Sequence, residues 1–217
     1  MIVGVDEAGR GPVLGSMFIA AVAVDERMQL PDGIDDSKRI PDRTRERLAT
    51  MLRDDDMIRT RSTEVDVALI DDPATNLTDV TIDAVQQVIF DVLPAMSEPV
   101  TCILDAADVD EDRYARRVSR GLPAAVDVIA KHGADGEDSV VGAASIIAKS
   151  NRERHVESLG NQFGDIGSGY PSDPTTRTFL ERYVAENGSL PACARKSWKT
   201  STDVLANAAQ DTLGDYS

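Results

Sequence analysis

The apolar positions of this chain repeat with two different periods, and the order in which those periods alternate sets its architecture. Residues 2–8 and 14–25 are dense in apolar side chains and flank a Gly-Arg-Gly-Pro stretch, which predicts two strands joined as a hairpin. Met57–Val65 predicts a third strand. Between them the period lengthens to a helical one from Pro41 to Arg53, with proline at the first position and Leu48, Met51 and Leu52 on one face. A second helix is predicted from about Thr78 to Leu93, where Val85, Val88, Ile89 and Val92 form a stripe that Pro94 ends.

The run VTCILDAAD, residues 100–108, is apolar until it reaches acid, as expected of a strand buried on both faces. After a short helix over 110–120, DVIAKHGAD at 127–135 repeats the pattern of a buried strand ending in aspartate. A long helix from Val140 to about Leu159 follows, in which Gly142, Ala143 and Ala144 permit close approach to a neighbour. Helices near 175–187 and 198–210 close the chain without further strand signals. Strands early and helices late predict an α/β fold with a helical C-terminal portion. Residues 1–140 would form the core and 141–217 the long helix and helical portion, packed as one compact unit. There is no internal repeat and no glycine-rich phosphate loop of the nucleotide-binding kinds.

Composition narrows the setting. A chain of 217 residues with 41% apolar content can bury a substantial core. The longest apolar run, Val13 to Val24, is about half a membrane span and suits a strand. No signal peptide is read before it, and Cys102 and Cys193 form neither a metal-type pair nor a disulfide framework, so a reducing cytoplasm and no membrane are expected. The net charge of −15 arises from 38 acidic residues, 27 of them Asp, against 18 Arg and 5 Lys. It predicts a surface that stays hydrated in concentrated salt, and a halophilic source. It does not exclude a nucleic-acid partner, because at molar salt the Debye length is about 3 Å and only local cations count.

Three predicted strands end in acid: Asp6 with Glu7, Asp105, and Asp135. Several buried carboxylates repel one another unless they are protonated or share cations. Carboxylates without His or Cys favour a hard ion such as Mg²⁺ or Mn²⁺, which keeps waters and takes its remaining ligands from phosphate. Turn chemistry alone also places Asp at strand ends, and spacing does not decide between the two. Because successive strand side chains face opposite ways, β-structure is expected to end or twist at Asp6 and Glu7, with Gly9 and Gly11 supplying the freedom.

These residues resemble a known family. GVDEAGRGPVLG at 4–15, DSK at 36–38, LDAAD at 104–108, AD at 134–135 followed by VVGAASIIAKSNRE, GSGYPSDP at 167–174 and RKSWKT at 195–200 together look like ribonuclease HII, in an archaeal style. The resemblance implies an RNase H-like fold, a mixed β-sheet flanked by helices, whose metal-bound carboxylates hydrolyse the RNA strand of RNA–DNA hybrids and incise DNA containing ribonucleotides. It implies Asp6, Glu7, Asp105 and Asp135 as catalytic acids and metal ligands. Glu137 and Asp138 compete for the fourth place; Asp135, eight residues before the first Ala of AASI, matches the family pattern, which leaves Asp138 as surface acid. It further implies that Gly9, Arg10, Gly11 and Tyr170 read the junction between a ribonucleotide and the deoxynucleotide on its 3′ side. Lys149 would meet phosphate and Ser37 and Lys38 the nucleic-acid backbone, while Arg152 shares one helix face with Ser145 and Lys149. His132 and His155 are expected to be structural, and Trp198 to anchor the helical end. A monomer is expected, and the C-terminal QDTLGDYS shows no docking motif. The rivals are a type III ribonuclease H, which the Gly-Arg-Gly turn argues against, and a non-catalytic nucleic-acid-binding or cation-binding protein on the same fold.

Overall fold

A computed structural model describes residues 1–34, 40–93 and 99–214; Ser37 and Lys38 lie outside the described residues. Five strands form one mixed sheet in the order β3-β2-β1-β4-β5, with β1 at Ile2–Ala8, β2 at Met17–Val24, β3 at Arg59–Val65, β4 at Val100–Asp105 and β5 at Val126–Lys131. β1 runs antiparallel to β2 and parallel to β4, so the central strand carries one hairpin-type and one crossover-type neighbour. The predicted elements exist, because burial period is what they were read from. The differences lie at their ends.

The described residues also form seven α-helices: α1 Asp42–Asp54, α2 Val67–Ile70, α3 Leu77–Val92, α4 Glu111–Ser119, α5 Ser139–Phe163, α6 Pro174–Asn187 and α7 Lys199–Gly214. On one face α3 and α4 bury Val85, Val88, Ile89 and Val118 against Val3, Val5 and Leu104. Each such aliphatic side chain contributes about 1.5–3 kcal/mol when fully removed from water. On the other face α1 and the first half of α5 pack Leu48, Leu52, Val140, Ile146 and Ile147 against Ala20 and Val22. Met51, expected on that buried side of α1, is 44% exposed, and Ala49 takes its place.

The approach of α5 to the sheet depends on a bare backbone. A Cβ at Gly4 would lie 2.3 Å from the carbonyl carbon of Val140, so only glycine lets the helix N-terminus rest on β1. The small residues of α5 were legible as a contact surface; their partner in the strand was not.

β3 starts at Arg59 rather than Met57 and β4 stops at Asp105, and two further strand ends differ with more effect on the fold. The second strand starts at Met17 rather than residue 14, because Val13 and Leu14 leave the sheet to pack with Ile166, Phe179, Leu180 and Ala194 in a third apolar cluster built by the C-terminal helices. Leu14 makes an isolated antiparallel bridge with Ala194. The connection between β1 and β2 is therefore a folded loop over residues 9–16 and not a tight hairpin turn. β5 ends at Lys131, and it is an edge strand with Asp127 and Lys131 exposed rather than a strand buried on both faces. The chain turns at Gly133, whose φ of 70° ends the extended run, and Asp135 sits on a single 3-10 turn at Ala134–Gly136. No helix among the described residues is long and apolar enough to cross a membrane.

Candidate active site

The site forms where β1 outruns its parallel neighbour. Pairing between β1 and β4 stops at Val5 and Leu104, whereas β1 stays paired with β2 through Ala8. The strand does not end at Asp6 and Glu7; it stays paired with β2, and the loss of its β4 neighbour beyond Leu104 is what opens the space. Asp6 lies on the α5 side with 5% of its surface exposed, and Asp105 closes β4 beside it. Asp105 Oδ1 accepts from the Ala134 amide at 2.8 Å, which ties the end of β4 to the turn carrying Asp135. Asp135 is 6% exposed, with one carboxylate oxygen 3.6 Å from Lys149 Nζ of α5.

The electrostatics are those of crowded acids. Burial is the main cause holding the Asp6 carboxyl above its ordinary range; Asp105 and Asp135 push the same way, while the Ser145 hydroxyl and the Glu7 amide oppose. Glu7 is raised by burial and then by Asp6, with Arg10 opposing. Tyr114 of α4 has no exposed surface, and its phenol is raised by burial first and by Glu7 next. Among the described residues no three His, Cys, Asp or Glu side chains are close enough to cage an ion by themselves. The donor set nonetheless fits a hard divalent cation: four carboxylates supply only oxygen, a cation would relieve their repulsion, and waters or phosphate complete such a shell.

Beside the acids lies a cleft of about 370 Å³ lined by Glu7, Gly9, Arg10, Gly11, Lys149 and Tyr170, among others. The sequence-predicted residues therefore meet in one place, apart from the undescribed Ser37 and Lys38. Arg10 donates through Nη1 to Thr81 Oγ1 at 2.6 Å and through Nη2 to Thr78 Oγ1 at 3.3 Å, so α3 fixes its guanidinium. Ser145, Lys149 and Arg152 do share a line on α5, but none is merely solvated: Ser145 lies by Asp6, Lys149 by Asp135, and Arg152 donates to the Ser168 carbonyl at 2.6 Å. Tyr170 is 40% exposed at the cleft.

Outside this group, Asp138 caps α5 by accepting from the Val140 amide at 2.9 Å and pairs with Arg27 at 2.6 Å. Glu137 is exposed. His155 accepts from the Ser16 amide through Nε2 at 3.2 Å and packs edge-on to Phe18. His132 is an exposed link between Glu111 and the Asp108 carbonyl. The residues that sequence reading passed over are Thr78 and Thr81, which hold Arg10, and Arg195, a fully buried cation behind the glycine-rich loop. Their only signal was Arg195's place inside the RKSWKT stretch.

A mixed five-stranded sheet flanked by helices, with acids gathered where its central strand outruns a neighbour, is the architecture of the RNase H-like nuclease class. The family model described as ribonuclease HII matches residues 3–201. The chain is 52% identical over 215 residues to the ribonuclease HII of Natronomonas pharaonis, covering 99% of each. It superposes on the ribonuclease H2 of Pyrococcus horikoshii OT3 with a TM-score of 0.85 at 35% identity, covering 96% of this chain and 99% of that one. It also superposes on the ribonuclease HII of Archaeoglobus fulgidus, solved in complex with PCNA, with a TM-score of 0.83 at 35% identity over 94% and 96% of the two chains. This chain belongs to the ribonuclease HII family, and it is a ribonuclease H enzyme.

Proposed function

We propose that the enzyme hydrolyses the RNA strand of RNA–DNA hybrids and also incises on the 5′ side of single ribonucleotides embedded in duplex DNA, leaving 3′-hydroxyl and 5′-phosphate ends. The observation that carries this reading is the crowding of Asp6, Glu7, Asp105 and Asp135 beside a cleft walled by a Gly-Arg-Gly loop. Asp6, Glu7, Asp105 and Asp135 would hold two Mg²⁺ or Mn²⁺ ions, which when bound supply an activated water and neutralise charge on the leaving oxygen.

The protein's own part is placement. Asp6 and Asp135 are buried and Asp105 is held by the Ala134 amide, which preorganises these carboxylates for cations. Lys149, paired with Asp135, supplies a positive charge at the cleft wall where a phosphate enters. Arg10, fixed by Thr81 and Thr78, adds a second cation beside Glu7. The amides and carbonyls of Gly9 and Gly11 can approach a ribose closely because no Cβ intervenes. The 2′-hydroxyl is the group that distinguishes RNA from DNA there. Tyr170, exposed at the same cleft, stacks on the next sugar and accepts it only when it is deoxy.

The test is nicking of a labelled duplex that contains one ribonucleotide, with and without Mn²⁺, against an all-DNA duplex. Metal-dependent incision 5′ of the ribonucleotide and none in DNA supports the reading. Binding of the duplex without any incision would instead establish a non-catalytic nucleic-acid-binding protein.

A further inference from the structure

The loop joining β1 to β2 is held from behind by two residues that precede α7. Arg195 has no exposed surface, and what it meets is backbone. Its Nε donates to the Gly15 carbonyl at 2.9 Å, its Nη1 to that of Arg10 at 2.8 Å and its Nη2 to that of Gly9 at 2.5 Å. Trp198 stacks on the guanidinium at 4.9 Å from the ring centroid, and its indole Nε1 donates to the Gly11 carbonyl at 3.2 Å. The Arg195 amide donates to the Val13 carbonyl at 2.9 Å, so main chain and side chain of one residue grip the same loop.

Peptide geometry turns this grip into a statement about the other side of the loop. A trans peptide holds its N–H antiparallel to its own C=O, and the described residues contain no cis bond. The carbonyls of Gly9 and Arg10 belong to the same peptides as the amides of Arg10 and Gly11. With those carbonyls turned toward Arg195, the two consecutive amides point away from it, on the side where Gly9, Arg10 and Gly11 line the cleft. Pro12 has no amide, so the donor pair stops there. A cation bound to a carbonyl oxygen also withdraws electron density from the peptide, which makes its N–H a stronger donor.

We propose that Arg195, backed by Trp198, is the positioning residue of ribonucleotide recognition: it turns and polarises the Arg10 and Gly11 amides so that they meet the ribose and its phosphate. This rests on the reading that the Gly-Arg-Gly loop inspects the ribonucleotide. Burial pushes the Arg195 guanidinium down to about 10, with Arg152 adding to the shift and Asp71 opposing it, so it stays charged at neutral pH. Lysine is not equivalent, since an ammonium is a point charge and cannot span three carbonyls from one planar fork.

The test compares Arg195→Lys and Trp198→Phe with the parent enzyme on two duplexes, one with a single embedded ribonucleotide and one with a continuous RNA strand, after circular dichroism has confirmed folding. For Arg195→Lys, kcat/KM on the single-ribonucleotide duplex falls by about tenfold or more through KM, as expected for charge-assisted hydrogen bonds. The continuous hybrid, with many riboses in register, loses less than about a third of that factor. Trp198→Phe keeps the stack, removes one donor and shifts the ratio in the same direction by less. A role in folding alone would lower kcat equally on both substrates with KM unchanged, and that result, or an unchanged ratio in both variants, overturns the proposal. If Arg195→Lys does not fold, Trp198→Phe decides by the same ratio. A parent enzyme with no response to the 2′-hydroxyl at a single site would overturn the loop reading, and the positioning role with it.

Discussion

Arg152 lies over the ring of Tyr170, its guanidinium carbon 4.9 Å from the centroid, while its Nη2 donates to the Ser168 carbonyl at 2.6 Å. One cation thus orients the tyrosine and fixes the loop that carries it. Cation–π contact at an exposed site is worth about 0.5–1 kcal/mol, enough to bias a side chain and too little to hold a fold. Tyr170→Ala should therefore fold normally and lose its preference for a single ribonucleotide followed by DNA over a continuous hybrid. Equal ratios in variant and parent, measured by initial rates on the two labelled duplexes, would reduce this loop to scaffolding.

The four acids make a different prediction. Asp6→Asn, Glu7→Gln, Asp105→Asn and Asp135→Asn should each lower the cleavage rate by about a hundredfold or more while changing duplex affinity little, since metal-dependent transition-state stabilisation is lost and phosphate contacts are not. Asp138→Asn should retain near-parental activity, because its carboxylate caps α5 and pairs with Arg27. Single-turnover rates beside filter-binding constants separate the two effects. An inactive Asp138→Asn together with an active Asp135→Asn would reverse the assignment.

Crowding at Asp6 also sets a stability prediction whose sign is opposite to that of an ordinary ion-paired acid. Its carboxyl is raised in the fold, chiefly by burial and next by Asp105 and Asp135, so the folded state holds a proton that the unfolded chain has released. Stability from this group is present below the unfolded value near 4 and is lost as pH climbs through the raised one. At neutral pH in EDTA, Asp6→Asn should melt a few degrees higher than the parent, about 2–4 °C for each kcal/mol in a chain of this size. Adding Mn²⁺ should raise the parent's melting temperature more than the variant's. A lower melting temperature for Asp6→Asn in EDTA would refute the account.

His155 gives the acid side. Burial holds its imidazole below the ordinary value, helped by Arg152 and Arg195 and opposed by Glu64, and its neutral Nε2 accepts from the Ser16 amide. A depressed base stabilises the fold above its unfolded value near 6.5, and that contribution is lost as pH falls below it. His155→Gln should flatten the pH dependence of chemical denaturation between about pH 5 and 7. A slope unchanged by the substitution would place the titrating group elsewhere.

Salt is the last test. With a net charge of −15, stability should rise as KCl increases from low to molar concentration, as carboxylate repulsion is screened. Duplex affinity should fall over the same range, with a shallow slope set by the few cations at the cleft. Denaturation midpoints that drop with KCl would contradict a salt-adapted surface.

How far the fold could be read from the chain depended on whether a feature leaves a period. The α3 stripe Val85, Val88, Ile89 and Val92 and the apolar run of β2 are one-dimensional records of burial, and they were legible. The displacement of Val13 and Leu14 to the C-terminal cluster was not, because an apolar residue looks the same whichever core it joins. Nor was the end of β5, where one positive-φ glycine and an edge position outweigh an apolar run. The acids were legible as residue types, but their meeting depends on β4 ending at Asp105 while β1 continues to Ala8. Arg195 left no signal beyond its place in the RKSWKT stretch, since its partners are carbonyls, which every residue carries.

The grip of Arg195 on Gly9 and Arg10 spans 186 and 185 positions of sequence, and this has a consequence in time. On the ribosome the β1 strand with Asp6 and Glu7 emerges well before the segment whose Arg195 holds the neighbouring loop. At about 5–20 residues per second, some ten seconds or more separate the two events. A nascent chain halted before Cys193 would carry Asp6, Glu7, Asp105 and Asp135 without the bridge from Leu14 to Ala194 or the guanidinium behind Gly9. The loop beside the acids thus gains the guanidinium behind it only after all four acids have been synthesised.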